Sequence, residues 1–420
     1  MSIEKPVKRE RTGAEFLMFL CWLVYTMSYL GKVNYSANIT KIIEFYNVTK
    51  AEAGMPPTFF FFAYGIGQVV NGFLCKKYNM KYVIFTSLFS SAAINLFLAL
   101  NTNFAVIKWL WMLNGFVLSM LWPTLIRLLS GNLPKSALAK STVVMGTTVA
   151  SGTLIIYALS SLYAHFDYFQ LAFYTPAVTG ISVGIFWLLS YKKAVVGAKT
   201  VKDEDLENHD GGMGEGVSRK QSDNEKRIFA VTIGVLCLYA VGINFIKDGL
   251  TTWVPSILKE EYGLTDSLSI LLTLLLPMVA IFGNIFALAV RKKVPDYVSH
   301  CALFFALMFG FIGMIVGSIK FELVIVMLIG LVVVSLFASS LNSLITSIFP
   351  IFMREKINSG MFAGILNGFC YVGSTLSAYG LGIIADNYGW TAVFLSLMAF
   401  CAVMCVAWAV FTVFRHIISK

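Results

Sequence analysis

Long apolar runs separated by short polar segments cover nearly the whole chain. Because an α-helix rises about 1.5 Å per residue, roughly 20 apolar residues cross a hydrocarbon core of about 30 Å. Twelve runs reach this length, at residues 14–39, 53–75, 82–100, 104–130, 141–163, 170–190, 228–258, 267–290, 297–318, 323–350, 359–382 and 391–414. The pattern predicts an all-α integral membrane protein with twelve transmembrane helices.

The polar segments between the runs predict the orientation of the chain. Lys and Arg concentrate in the N-terminus, the even-numbered loops and the C-terminus, whereas the odd-numbered loops carry only Lys41, Lys50, Lys259 and Lys320. Short basic loops stay on the cytoplasmic side, so both termini are predicted to be cytoplasmic in a multi-pass protein of the cell membrane. The net charge of +10 follows from this topology, and no nucleic-acid partner is implied.

One long polar segment divides the chain into two sets of six spans. Residues 192–227 are charged and Gly-rich, a composition that predicts a mobile cytoplasmic linker between an N-terminal half, residues 1–191, and a C-terminal half, residues 228–420. The halves match weakly at residues about 215 apart. "EFYNVT" ends in Thr49 and "EEYGLT" ends in Thr265, each placed to cap a helix, and Gly152 matches Gly373. Such pseudo-symmetric halves are typical of secondary transporters, whose substrate site lies between them.

Two lysines stand at matching positions inside the apolar runs. Lys32 lies in "SYLGKVNYSANI", and Lys247 lies in "NFIKDGLTTWVPSIL". A bare cation in mid-membrane costs about 2.5 kcal/mol or more, so each lysine should face water, a counter-charge or an anion. The alternative is a buried ion pair with Asp248, but adjacent helix residues point about 100° apart. The two lysines are therefore predicted to bind one anion between the halves.

Polar and aromatic neighbours accompany both lysines. Tyr25, Tyr29, Lys32 and Ser36 share one helical face, which suits either a wet binding cavity or an ordinary packing stripe. In the seventh span, the neighbours of Lys247 on its face are Asn244 and Thr251, and Pro255 should loosen the helix just beyond. Arg127 lies about one turn from the cytoplasmic end of the fourth span and is assigned an interfacial or gating role.

Composition and motifs exclude several other classes. A hydrophobic content of 58% and a charged content of 13% are outside the range of soluble domains. His165, His209, His300 and His416 fall in loops or at span ends, and no metal-binding spacing or P-loop occurs. The sequence therefore predicts no enzyme, no metal and no cofactor. A transporter-like sensor that binds an anion and signals to a partner stays open.

Five motifs resemble the organophosphate:inorganic phosphate antiporter family, which includes glycerol-3-phosphate and hexose-phosphate transporters. "YLGKVN" is similar to the family's Tyr-Leu-x-Arg-x-Asn, and "IKDGLTTWVP" is similar to its Arg-Tyr-Gly-x-x-x-Trp-x-Pro. "MLWPTLIR", "AYGIGQVVNGFLCKKYNMK" and "ADNYGW" resemble further parts of the pattern. The resemblance covers most of the chain and implies the fold of the major facilitator superfamily.

The resemblance also implies a substrate site and shows where this chain departs from it. It places Lys32 and Lys247 where the family has two phosphate-binding arginines. It assigns Tyr25, Tyr29, Tyr64 and Tyr371 to the positions of cavity tyrosines. Gln68 replaces a cavity lysine, and Thr147 replaces a histidine. Because the site has less positive charge than the family pattern, the expected substrate is a carboxylate, a phosphodiester or a singly charged phosphate.

The sequence favours exchange of anions by rocker-switch alternating access. Exchange needs no titrating group, and the resemblance implies inorganic phosphate as counter-substrate for a small anion. The alternative is a proton-coupled symporter of a carboxylate or sugar acid, for which Asp248 is the candidate coupling residue. We expect a monomer in the lipid bilayer.

Overall fold

The structure is a computed structural model that describes residues 5–74, 78–207, 223–349 and 359–419. Within these ranges the chain is helical and contains no strand. The helices are α1 (Lys5–Ala37), α2 (Ile39–Tyr46), α3 (Lys50–Leu74), α4 (Met80–Leu100), α5 (Phe104–Ser119), α6 (Leu121–Asn132), α7 (Lys135–Gly146), α8 (Thr148–His165), α9 (Leu171–Glu207), α10 (Asp223–Tyr262), α11 (Asp266–Thr273), α12 (Leu275–Ala280), α13 (Gly283–Arg291), α14 (Tyr297–Lys320), α15 (Val324–Ser343), a π-helical turn (Leu344–Ile348) and α16 (Ser359–Ser419). The prediction of an all-α protein is confirmed.

Many of these helices are long and apolar enough to cross a membrane. Among the described residues nine helical stretches meet this test, and a tenth does if the bent pair Asp266–Ala280 and Gly283–Arg291 forms one span. The 61 residues of α16 would reach about 90 Å in a straight helix, far more than one crossing needs. Gly389 interrupts α16 with φ 77° and ψ 177°. The count of twelve spans and the cytoplasmic position of both termini stay predictions.

Part of the predicted linker is helical. Residues 192–207 continue α9, and residues 223–227 begin α10. Residues 208–222, which include His209, lie outside the described residues. The division of the chain into two halves, residues 1–191 and 228–420, stays a prediction, and these are the predicted halves. The "outer end" is the end that carries Lys41 and Lys259, and the "inner end" is the opposite one.

Threonines begin the helices that follow the two matching motifs. The Thr265 hydroxyl accepts a hydrogen bond of 3.3 Å from the backbone N–H of Leu268. The Thr49 hydroxyl accepts one of 3.1 Å from the N–H of Glu52, and the Glu52 carboxylate accepts one of 2.9 Å from the N–H of Thr49. This reciprocal pair is a capping box. The predicted capping roles of Thr49 and Thr265 are confirmed.

Prolines inside three helices leave backbone carbonyls without their helical donor. Proline has no N–H, so Pro57, Pro176 and Pro255 each free the carbonyl four residues earlier. A buried side chain of another helix donates a hydrogen bond to each of these carbonyls. The donors and acceptors are Tyr35 to Ala53 at 3.0 Å, Asn34 to Ala172 at 3.0 Å and Tyr157 to Thr251 at 3.1 Å. α10 continues through Pro255 to Tyr262, so the predicted loosening amounts to the one missing hydrogen bond.

The matched glycines lie at equivalent helix contacts. A Cβ atom on Gly152 of α8 would lie 2.4 Å from the Thr26 carbonyl oxygen on α1, and one on Gly373 of α16 would lie 2.0 Å from the Val241 carbonyl oxygen on α10. Neither position can hold a larger side chain without moving backbone. In each predicted half, a glycine thus permits close contact with the helix that carries a mid-membrane lysine.

We expect the Tyr157→Phe substitution to destabilise the protein through the Thr251 carbonyl. A buried carbonyl without a donor costs about 1–3 kcal/mol, and the free energy of unfolding should fall by that amount. In a Pro255→Ala background the new N–H of residue 255 supplies the missing donor, so the same substitution should cost less than half as much. Denaturant titration of the purified protein in detergent measures both differences.

Tyr163→Phe is the matched control, because the Tyr163 hydroxyl contacts the Thr175 side chain at 2.9 Å rather than a proline-freed carbonyl. Its effect should be the same in both backgrounds. An equal cost of Tyr157→Phe with and without Pro255 would show that the carbonyl bond is not what stabilises this contact.

Candidate functional site

Lys32 and Lys247 approach a common centre of the bundle. Lys32 lies on α1 and Lys247 on α10, and both side chains are half-buried. The Lys32 ammonium lies 5.7 Å from the ring centroid of Tyr371 on α16. Ser374, about one turn further along α16, donates a hydrogen bond to Asp248, which forms an ion pair with Lys247. The structure therefore brings together the two lysines that the sequence pairs across the predicted halves.

Aromatic rings surround the Lys32 ammonium. Its Nζ atom lies 3.9 Å from the ring centroid of Tyr64, 4.9 Å from that of Tyr29, 5.7 Å from that of Tyr371 and 5.9 Å from that of Phe60. The Tyr29 hydroxyl also accepts a long hydrogen bond of 3.5 Å from Lys32. Cation–π contacts of this kind contribute about 0.5–2 kcal/mol each, so the rings partly replace the water that the ammonium loses.

Hydrogen bonds continue from this cage across the bundle. The Tyr25 and Tyr64 hydroxyls lie 3.4 Å apart, and Gln68 donates to the Tyr64 hydroxyl at 3.2 Å. Asn367 of α16 donates to the Gln68 side-chain oxygen at 2.7 Å. The chain of contacts joins α1, α3 and α16 and thereby crosses between the predicted halves. Sequence reasoning missed Asn367, because a single asparagine in an apolar run has no distinctive spacing.

Lys247 forms an ion pair with its neighbour Asp248. The Lys247 Nζ atom lies 3.4 Å from one carboxylate oxygen of Asp248. The prediction that these side chains point apart is wrong, because the long lysine stem bends back and closes the angle between adjacent positions. Asp248 is thus the direct counter-charge of Lys247.

Three polar side chains hold Asp248 in place. Ser374 donates a short hydrogen bond to the Asp248 carboxylate, and Asn244 lies 3.4 Å from the same oxygen. Asn342 in turn donates to the Asn244 side-chain oxygen at 2.7 Å. Sequence reasoning found Asn244 but missed Ser374 and Asn342, which reach the site from α16 and α15. Their only signal is a small polar residue in an apolar run, and such residues are common in membrane helices.

The other predicted site residues divide into two groups. Tyr25, Tyr29, Tyr64 and Tyr371 meet at the centre, with ring centroids 4.9 Å apart for Tyr64 and Tyr371 and 5.4 Å apart for Tyr25 and Tyr29. Thr147, between α7 and α8, instead accepts a hydrogen bond of 2.9 Å from Trp22 and donates to the Val144 carbonyl oxygen of α7.

Two further predicted side chains are directed elsewhere. The Thr251 hydroxyl donates to the Lys247 carbonyl oxygen at 2.9 Å, so it serves its own helix rather than the side chains of the centre. Arg127 lies half-buried in α6 toward the inner end. Among the described residues, no group of three or more His, Cys, Asp or Glu side chains could hold a metal ion.

Ion pairs join the two predicted halves at the outer end. Asp266 of α11 lies 3.1 Å from the Lys41 ammonium and 2.9 Å from that of Lys259. Lys41 also pairs with Asp167 at 3.0 Å, and Lys259 contacts Glu44. Burial lowers the pKa of Lys41, but the hydrogen bonds with Asp167 and Asp266 outweigh burial, so that the pKa is raised above its usual value. The Lys41 ammonium therefore keeps its charge throughout the neutral pH range.

A second group of contacts closes the outer end between α3 and α16. The Asp386 carboxylate accepts hydrogen bonds from the backbone N–H groups of Lys50 at 3.0 Å and Ala51 at 2.7 Å. Lys50 pairs with Glu260 at 3.1 Å. Close by, a Cβ atom on Gly54 would lie 2.6 Å from the Ala378 carbonyl oxygen. The lysine centre is thus covered on its outer side.

Taken together, a helical bundle with charged side chains at its centre, between the two predicted halves, fits the architecture of a secondary transporter. The chain belongs to the Major Facilitator Superfamily, whose family model matches residues 21–361. It is a multi-pass membrane protein of a transporter family.

Two similar proteins are named as transport proteins for phosphate esters. The chain is 21% identical to the "Probable hexose phosphate transport protein" of Chlamydia pneumoniae, over 94% of this chain and 90% of that one. It is likewise 21% identical to the "Glycerol-3-phosphate transporter" of Bacillus subtilis (strain 168), over 90% of this chain and 87% of that one. The resemblance to the organophosphate transporters is confirmed at this level of identity.

Solved transporter structures share the fold. The peptide transporter POT superposes with a TM-score of 0.74 at 13% identity, covering 96% of this chain and 94% of that one. A bacterial homolog to the human lysosomal transporter Spinster, in an inward-facing and occupied conformation, gives a TM-score of 0.72 at 13% identity and covers 96% of both chains. These matches show the fold of the chain.

We expect the Asp266→Asn substitution to open the outer end. Asp266 is a buried partner of both Lys41 and Lys259, so its loss leaves two cations facing each other. Spin labels at Tyr168→Cys and Phe321→Cys, on exposed outer loops of the two predicted halves, measure the separation. The longer-distance population should rise several-fold in pulsed electron paramagnetic resonance.

Glu15→Gln serves as the control, because Glu15 pairs with Lys140 at 2.9 Å near the inner end and within one predicted half. It should leave the outer distances unchanged. An unaltered distance distribution in Asp266→Asn would mean that these ion pairs do not stabilise the closed outer end.

Proposed function

We propose that the protein is a secondary active transporter of a small organic anion in the cell membrane. The observation that carries the proposal is that the surroundings of Lys32 and Lys247, from opposite predicted halves, meet on α16: Tyr371 faces the Lys32 ammonium, and Ser374 binds the ion-pair partner of Lys247. Two ammonium groups in the same part of the membrane interior repel each other, and an anion between them reduces that repulsion. The tyrosine and glutamine side chains around them offer hydrogen bonds to the rest of a polar ligand.

The expected substrate carries an acidic group of low charge. The relatives named above transport phosphate esters by name, which favours a phosphate ester or a related anion. An arginine fork binds a phosphate through two parallel hydrogen bonds, whereas a lysine ammonium is a compact point charge. With lysines at both positions and Gln68 instead of a third cation, a singly charged phosphate, a phosphodiester or a carboxylate fits the site best.

The closed outer end supports alternating access of the rocker-switch type. Ion pairs such as Lys41 with Asp266 hold the predicted halves together on one side of the lysine centre. Rocking of the halves about the bound anion would break these contacts and open the other route. Lys32 and Lys247 belong to different predicted halves. A ligand that contacts both lysines therefore connects the two halves during this motion.

Exchange of anions is the mode of transport that we propose, with inorganic phosphate as the counter-substrate. Asp248 is engaged by Lys247 and Ser374 and acts as a fixed counter-charge in this arrangement. If the cationic site changes from one side of the membrane to the other only with an anion bound, it couples the two anion fluxes without a proton carrier. The alternatives are proton-coupled symport of a carboxylate or sugar acid through Asp248, and a membrane sensor that binds the anion without transporting it.

We expect Lys32→Ala and Lys247→Ala each to lower anion uptake into proteoliposomes at least about tenfold, because each removes one of two charge-assisted contacts. Binding, followed by thermal shift of the purified protein, should weaken in parallel. Lys108→Ala is the control, since Lys108 lies beside the exposed Trp109 near the outer end. Full uptake in both lysine variants would contradict the proposed site, and binding without saturable flux in the wild type would indicate a sensor.

Counterflow distinguishes exchange from symport. Proteoliposomes loaded with inorganic phosphate should take up labelled anion at equal pH on both sides, and a protonophore should leave the initial rate unchanged. Under exchange, vesicles without internal anion should show several-fold slower uptake. Accumulation that requires an inward proton gradient would instead support symport.

A further inference from the structure

Asp248 is an acidic side chain in the centre of the bundle, where the binding of an anion does not require one. Asp248 lies 3.4 Å from the Lys247 ammonium, although a carboxylate repels the anion that the two lysines are proposed to bind. Lys247 could be neutralised at lower cost by omitting both charges, because a buried ion pair seldom stabilises a protein more than apolar residues do. A role of the carboxylate in the choice of ligand would explain its presence.

The carboxylate is held where a bound anion would meet it. An anion in contact with Lys247 lies about 2.8 Å from the ammonium, and that ammonium lies 3.4 Å from Asp248. Ligand and carboxylate are then at most roughly 6 Å apart, a distance at which the repulsion between charges is strong inside a protein. Because Ser374 and Asn244 bind the carboxylate, it cannot turn away when the ligand arrives.

The charges of the centre can be counted among the described residues. Between the outer ion pairs and Arg127 near the inner end, the charged side chains are Lys32, Lys247 and Asp248. Two cations and one anion give a net charge of +1. A ligand with one negative charge makes the centre neutral, whereas a ligand with two leaves an uncompensated negative charge in a poorly solvated site.

We propose that Asp248 is the residue that sets the charge specificity of this site, by rejecting dianions in favour of monoanions. Ser374 is its positioning residue, because it fixes the carboxylate beside the ligand. The inference rests on the proposed binding of an anion between Lys32 and Lys247, and it adds the residue that selects among anions.

The test compares ligands that differ by one charge and little else. One pair is glucose 6-phosphate, a dianion at pH 8, and its methyl phosphodiester, a monoanion. The other is succinate and its monomethyl ester. Dissociation constants are measured by calorimetry for the full-length wild type, Asp248→Asn and Ser374→Ala, with Glu322→Gln as the control that removes one negative charge from an exposed outer loop.

In the wild type the monoanion of a pair should bind more tightly. Asp248→Asn, which keeps the shape of the side chain, should shift the ratio of dissociation constants toward the dianion by about tenfold or more. Ser374→Ala should shift the ratio in the same direction by a smaller factor, and it decides the question if Asp248→Asn does not fold. Glu322→Gln should leave the ratio unchanged.

The lysine variants separate the two proposals. If Lys32→Ala and Lys247→Ala abolish binding while neither Asp248→Asn nor Ser374→Ala changes the ratio, the inference about Asp248 is overturned and the anion site stands. If no ligand of either pair binds to the wild type, or if binding is independent of both lysines, the proposed function fails and the inference fails with it.

Discussion

The solvation of the Lys32 ammonium is the constraint on which the centre of this protein depends. A lysine at that depth has lost water, and among the described residues no carboxylate lies within 4.0 Å of it. Rings of Tyr29, Tyr64, Tyr371 and Phe60 take the place of solvent. Their quadrupoles hold a cation without neutralising its charge. Before a ligand binds, the Lys32 ammonium therefore keeps a positive charge that can attract an anion.

The same constraint acts on the backbone of the helices. An unpaired backbone carbonyl in hydrocarbon also costs free energy, although less than an unsolvated charge, yet Pro57, Pro176 and Pro255 each create one. For these three carbonyls the donor is a hydroxyl or amide from a neighbouring helix. Tyr157 connects α8 to the helix of Lys247, and Tyr35 and Asn34 connect the helix of Lys32 to α3 and α9. The bonds that repair the prolines thus also fix the helices that carry the lysines.

The sequence was sufficient to predict those features that have a local or periodic signal. Helical runs, the capping threonines and the two mid-membrane lysines follow from hydropathy, short motifs and repeat spacing. The hydrogen-bond partners in the site could not be predicted in this way, because they come from distant segments of the chain. Asn367 reaches Gln68, and Ser374 reaches Asp248, only after the bundle has assembled. The orientation of Asp248 was predicted wrongly for a related reason. A helical wheel fixes the direction of Cβ but not the path of a four-carbon lysine stem.

The kinds of contact at the outer end suit a protein that must open there. Ion pairs in partly exposed positions contribute about 0.2–1 kcal/mol each, and water can replace each partner when the pair separates. Between α3 and α16 the packing relies on glycine, with Gly54 against the Ala378 carbonyl and Gly382 against that of Lys50. Such close backbone contact excludes water without interlocking large side chains. A seam of interdigitated leucines would be far harder to part, because its separation would expose apolar surface with no compensating interaction. Ion pairs and glycine-lined helix contacts thus keep the closed and open arrangements of the outer end close in free energy. A single bound anion can then shift the equilibrium between the two arrangements.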